Sequence, residues 1–198
     1  MKTLLIENST DLGTVVLAEG AKILQAGEFS KSAMLTVAID QLFREFGPPD
    51  EIVCGLGPGS YTGIRVAVAI AIGLKTGLGC PAFGCSSALA FAASTYHVVG
   101  DARLGTIFIA SIEDNRLIRA PELRSTGELD LLLAELRGSP VFAVGPVPGF
   151  SELEIVRPRA EHLLSRRDCF QTSLEPLYLK EPHITGRHGE ATKTAKRS

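Results

Sequence analysis

The stretch CGLGPGSYTGIRVAVAIAIGLK, residues 54–75, constrains the fold more than any other part of the chain. It opens with glycines, a proline and hydroxyls, then carries no polar residue between Val66 and Leu74. The alternation in VAVAIAIG resembles a strand. Ser60 or Thr62 as a cap, Gly73 and Gly77 late in the segment, and its length favour a helix. A helix apolar on every side must be covered on every side. One side can rest on a sheet of the same lobe. Small residues at Ala67, Ala69, Ala71 and Gly73 allow a second helix to approach closely. A partner protein or a second copy of the chain is therefore the economical cover, and cover from within the chain is the alternative.

The glycines also invite a phosphate reading, which the spacing tests. A phosphate loop of the GxxxxGK[ST] type needs Lys where this chain has Ile64. A dinucleotide fingerprint fits Gly55 and Gly57 but has Ser60 at its third glycine, and no acid follows near CPAFG. A weaker anion role remains for Gly57, Gly59, Ser60 and Thr62, whose amides and hydroxyls gather at a helix N-terminus. The plainer reading is a Pro58–Gly59 turn followed by a Ser60 cap. Other chemistry finds no pattern. His97, His162, His183 and His188 form neither HExxH nor HxxxH, the four cysteines include no CxxC pair, and GCSSA lacks the second glycine of a nucleophile elbow. Cys54, Cys80, Cys85 and Cys169 read as buried thiols. No catalytic residue, metal site or cofactor is expected, with ATP or ADP admitted only at the interface of a complex.

The remainder of the 198 residues is globular in composition, 45% hydrophobic and 21% charged, with net charge -2. The longest apolar run falls short of the roughly 18 residues of a membrane span, so a cytoplasmic protein with no membrane partner is expected. TLLI, TVVLA and the run from Lys22 read as an antiparallel meander. A helix capped by Ser30 runs to Phe46, and DEIVCG is a strand. CPAFG is a strand, and Ser86 or Ser87 caps a helix over SALAFAAS. A hairpin turns at Asp114–Asn115, a helix spans 127–137, PVFAVG is a strand, and a short helix spans 159–167. This order predicts an α/β fold with a mixed sheet followed by a smaller second lobe. The expected units are 1–100, 101–185 and a basic tail at 186–198. Asp101 and Arg103 are expected at the lobe junction.

The core GPGSYTGIR, with TLLIENST at the start, DAR at 101–103 and PLYLK at 176–180, resembles the bacterial TsaB (YeaZ) family. The resemblance covers about residues 2–180. It implies a two-lobed actin-like, ribonuclease-H-like ATPase fold (ASKHA). It also implies a subunit without catalysis of its own in the machinery that makes N6-threonylcarbamoyladenosine in tRNA. Such subunits pair with a TsaD-like catalytic subunit, recruit a TsaE-like ATPase, meet tRNA only indirectly, and form homodimers when alone. The contacts are then expected on the helices of the first lobe, at Met34, Ala38, Tyr61, Arg65, Ala67, Ile70, Ala71 and Leu74. Two departures stand out. Glu7-Asn8 replaces the family's Asp-Thr after the first strand, and Phe29 stands where many members have His. In ATPases of this fold an acid at the first position helps place Mg²⁺ and phosphate, so Glu7 and Ser9 join the candidate anion contacts. A kinase or ATPase of the same fold, or a peptidase, are the alternative activities. The first lacks an acid after Gly145, and the second lacks a histidine pair.

Overall fold

The computed structural model describes residues 1–136 and 138–179. The chain begins with the expected meander, β1 (Lys2–Glu7), β2 (Gly13–Glu19) and β3 (Lys22–Phe29). Helix α1 (Leu35–Phe46) leads to β4 (Glu51–Gly55), and α2 (Tyr61–Leu78) leads to β5 (Ala82–Cys85). The strands lie in the order β3-β2-β1-β4-β5, with β4 parallel to β1 and β5 parallel to β4. Parallel neighbours need a crossover, and α1 and α2 supply it. Leu4, Leu5 and Ile6 are all fully buried, without alternation, because this sheet is covered on both faces. Leu4 and Ile6 meet Leu35, Ile39 and Leu42 of α1 and Ile64, Ala67 and Ala71 of α2. Leu5, Val16 and Val53 face the other way.

What they face is a second sheet. It comprises β6 (Tyr96–Asp101), β7 (Thr106–Glu113), β8 (Arg116–Ser125), β9 (Val141–Ala143) and β10 (Glu154–Ile155), in the order β10-β9-β6-β7-β8. Helix α3 (Leu129–Glu135) covers its outer face through Leu132 and Leu133. Helix α4 (Ala160–Leu163) returns to the first sheet, where the Ala160 amide donates to Thr14 Oγ1 at 2.8 Å. Tyr96, Val98, Phe108, Ala110 and Ile112 share one core with Leu5, Val16 and Val53. Asp114 and Asn115, both at positive φ, form the expected two-residue hairpin turn.

Several expectations shift. Ser30 does not cap α1. A 3-10 turn at Ser32–Met34 precedes the helix, and the Ser32 hydroxyl accepts from Asn8 Nδ2 at 3.1 Å instead. The helix expected over SALAFAAS is only a 3-10 turn, Ser87–Leu89, capped by Ser86. Leu89, Ala90 and Phe91 are consecutively buried between the sheets, which leaves no polar face for a longer helix. The Arg166 guanidinium also takes the carbonyls of Leu89, Phe91 and Ala93. The second sheet already begins at Tyr96, before the expected boundary at 100. The chain then comes back to the first lobe near its end. Arg167 pairs with Glu51, and the Gln171 and Leu177 amides bond Gly84 O and Leu56 O. Asp101 and Arg103, expected at the lobe junction, sit at the tip of the β6–β7 hairpin. The Arg103 amide bonds Asp101 Oδ1 at 2.8 Å there. The tail at 186–198 lies outside the described residues.

Candidate functional site

The glycine loop leaves β4 at Gly55 and enters α2 at Tyr61. Its polar groups turn inward. The Gly57 amide donates to Ser87 Oγ at 2.9 Å, the Ser60 amide to Ser9 O at 2.7 Å, and the Gly63 amide to Ser60 Oγ at 3.2 Å. The last of these is the N-cap of α2. Gly57 O accepts from the Ser87 amide and from Ser86 Oγ. Gly59 lies at φ +151, and a Cβ there would overlap the Ser9 backbone, so no other residue fits. Asn8 Nδ2 donates to Gly63 O at 2.9 Å and so ties the first turn to α2. Among the candidate anion contacts, the Gly57 and Ser60 amides are thus already bonded to protein oxygens. Ser9 is buried, while Gly59, Ser60 and Thr62 reach the surface.

Glu7 ends β1 beneath this loop at 1% exposure. Its Oε1 accepts the Ser9 amide at 2.7 Å. Its Oε2 lies over Gly55, close enough that a Cβ on that residue would overlap it. Burial raises the carboxyl above the usual range, against the opposing pull of the Ser9 and Ser87 hydroxyls and the Ser9 and Asn8 amides. Burial likewise pushes the Cys85 thiol up to about 12 and raises Cys54 further, so both are unreactive. Phe29, the second departure, is 6% exposed and lies against Gly13, where any side chain would strike its ring. An apolar ring suits that core position. Among the described residues, no three His, Cys, Asp or Glu come together as a metal site.

Helix α2 runs 18 residues to Gly79, which closes it in the left-handed conformation. It is the helix, among the described residues, long and apolar enough to cross a membrane by length and composition. One side is seated on the sheet through Gly63, Ile64, Ala67, Val68 and Ala71. The opposite side is open. Arg65, Ala69, Ile72, Gly73, Thr76 and Gly77 are exposed, Ile72 at 47%. A Cβ at Gly73 or Gly77 would meet nothing within 4 Å. Ala69, Gly73 and Gly77 thus form an exposed row of small residues at i, i+4, i+8. On α1 and its lead-in turn, Met34 and Val37 are also exposed.

This geometry sorts the residues expected at a partner surface. Met34, Tyr61 and Arg65 are exposed, and Ala38, Ile70 and Leu74 are half-buried at the flank. Ala67 and Ala71 are fully buried against their own sheet and cannot meet a partner. The alternating sequence makes Ala67, Ala69 and Ala71 look like one row. A period of 3.6 splits them and sends only Ala69 outward. Val37 and Ile72 are exposed as well, and the sequence shows them as large apolar residues on these helices. Tyr178 was hidden by distance in sequence. Its ring lies 5.1 Å from that of Tyr61, and the Arg65 guanidinium lies 5.0 Å from the same Tyr61 ring. The Leu177 amide bonds Leu56 O at 2.8 Å and holds this end segment on the loop. Behind it, Leu56, Ser86, Leu117, Cys169 and Leu177 line part of a cleft of about 790 Å³ between the loop and β8.

Residues 30–116 match the family model described as TsaD: tRNA N6-adenosine threonylcarbamoyltransferase. Two solved structures from Pseudomonas aeruginosa share the fold. One is YeaZ, at TM-score 0.69 and 22% identity, covering 90% of this chain and 100% of that one. The other is described as an uncharacterized protein with similarity to peptidase YeaZ, at TM-score 0.69 and 21% identity, covering 90% and 99%. An uncharacterized protein of Mycobacterium leprae is 32% identical over 140 residues, and one of Mycobacterium bovis 30% over 144, each covering 67% of this chain. The matched region spans 38% of the first relative's length and 65% of the second's.

Proposed function

We propose that this chain, whose family-model match and YeaZ-like fold support its assignment to the TsaB/YeaZ family, is a non-catalytic subunit for forming N6-threonylcarbamoyladenosine in tRNA. Its role is to dock a TsaD-like catalytic subunit and to help recruit a TsaE-like ATPase, in the cytoplasm, where tRNA is met through the assembled complex. The observation that carries this reading is the open side of α2. Ile72, Ala69, Gly73 and Gly77 are exposed on a helix whose opposite side is already packed, and Met34 and Val37 are exposed on α1 and its lead-in turn. A second copy of the chain covers the same face when the partner is absent. Nucleotide enters only at the interface of the complex. The inward-turned loop and buried Glu7 favour this reading over a kinase or ATPase acting alone.

The test is Ile72→Asp. The side chain is half exposed, so the free protein keeps its fold by circular dichroism. Desolvating an unpaired carboxylate in an apolar contact costs several kcal/mol. The variant is expected to lose co-purification with the TsaD-type protein of the same source and to sediment as a monomer. A folded variant that binds that protein with wild-type affinity would refute the docking face.

A further inference from the structure

Two buried polar atoms beneath the glycine loop have no hydrogen-bond partner among the described residues, Glu7 Oε2 and Ser9 Oγ. They are neighbours. Glu7 Oε1 accepts the Ser9 amide, and Ser9 O accepts the Ser60 amide. On the other side, Glu7 Oε2 and Ser87 Oγ crowd the same point above Gly55, and Ser87 Oγ accepts the Gly57 amide. The carboxyl group therefore touches both ends of the loop, through Ser9 at Ser60 and through Ser87 at Gly57.

The surroundings decide its charge. The titratable groups facing Glu7 are Cys54 on β4 and Cys85 at the end of β5, both neutral thiols. No basic side chain is bonded to it among the described residues. A buried carboxylate without a cation is strongly disfavoured, and the Ser9 and Ser87 hydroxyls beside it offset the burial only in part. A carboxylic acid is not: its O–H becomes a donor, and a hydroxyl oxygen such as that of Ser9 or Ser87 can accept it. The extra methylene of Glu over Asp is what brings the group over Gly55, and Gly55 leaves the room for it.

We propose that Glu7 is a positioning residue, held as an uncharged carboxylic acid, that clamps the Gly55–Ser60 loop from below and thereby fixes where α2 starts and where Tyr61 is presented. This is independent of which partner docks on α2, because each readout uses the free chain. A raised carboxyl in the folded state works in a defined direction. Its protonation favours folding fully below the unfolded value. That contribution falls as pH rises from the unfolded value toward the folded one, and stays lost above it.

The experiment compares wild type with Glu7→Gln and Glu7→Ala in urea unfolding from pH 5 to pH 8.5, with amide exchange at Gly57 and Ser60. Glu7→Gln supplies a permanent neutral donor. It is expected to keep the slow exchange of both amides and to raise the unfolding midpoint relative to wild type at pH 8, with the gap closing toward pH 5. Glu7→Ala is expected to speed exchange at Gly57 and Ser60 at least tenfold while β1 and β4 amides stay protected. Where Glu7→Ala fails to fold, the Gln variant decides alone. A Gln variant less stable than wild type at pH 8, or unchanged loop exchange in a folded Ala variant, overturns the proposal.

Discussion

Gly55→Ala probes the packing around the Glu7 carboxyl by one methyl group. The new Cβ would overlap Glu7 Oε2 and stand 2.8 Å from Ser87 Oγ. Neither obstacle can swing into solvent, since Glu7 and Ser87 are 1% and 2% exposed. Overpacking a tight core costs about 1–3 kcal/mol, and here the upper half of that range applies because both neighbours carry loop hydrogen bonds. That is a large fraction of the roughly 5–15 kcal/mol that holds a typical domain. Glu7→Ala alone removes the clamp and leaves a cavity. Combined, the two changes complement each other, because the added methyl occupies space the carboxyl vacates. The double-mutant cycle in urea is expected to show favourable coupling of about 1–2 kcal/mol, the size seen for residues in contact. Additivity within about 0.5 kcal/mol would mean that Glu7 Oε2 does not rest over Gly55, and the reasoning fails.

Arg166→Met removes a buried guanidinium from three carbonyls, at Leu89, Phe91 and Ala93. Hydrogen bonds to charged groups contribute about 1.5–3 kcal/mol, so a loss of about 2–4 kcal/mol in urea unfolding is expected, with protease cutting appearing first at 89–95. Ala71→Glu is expected to unfold the chain by circular dichroism rather than to yield a folded monomer, since Ala71 is fully buried against the sheet. The isolated chain is expected to turn over neither ATP nor peptide substrates, and steady ATP hydrolysis of even about one per second, within the ordinary enzyme range, would contradict the subunit reading.

Much of the first sheet was legible because its signals are local. The Asn, Ser, Asp and Gly between β1 and β2 mark a turn, and Asp114–Asn115 marks the β7–β8 turn by residue type alone. The β6–β7 turn was not legible, because Arg103 and Leu104 adopt positive φ there. Neither residue type favours that region, and the pairing of the two strands together with the Arg103 amide bond to Asp101 Oδ1 holds it. The return of the chain to the first lobe was hidden for a similar reason. Nothing in the sequence sets Arg166 apart from the other arginines of the short helix over 159–167. In the fold Arg166 is 6% exposed and gathers carbonyls from a segment more than seventy residues away. Tyr178 reaches Tyr61 over an even longer separation.

The candidate site shows the same limit at finer grain. That α2 needs cover was readable from the absence of polar residues, but which residues need it was not. Five of its residues, at 63, 64, 67, 68 and 71, settle on the sheet because that set gives contiguous contact at helical spacing. The choice follows from where β1 and β4 lie, which the segment itself does not encode. Glu7 makes the converse case. Its type suggested an altered metal or phosphate acid, whereas its setting, between Gly55, Ser9 and Ser87, gives it an internal duty. A cation beside a carboxyl at this position would favour its charged form, so neighbours, not residue type, determine which chemistry this position performs.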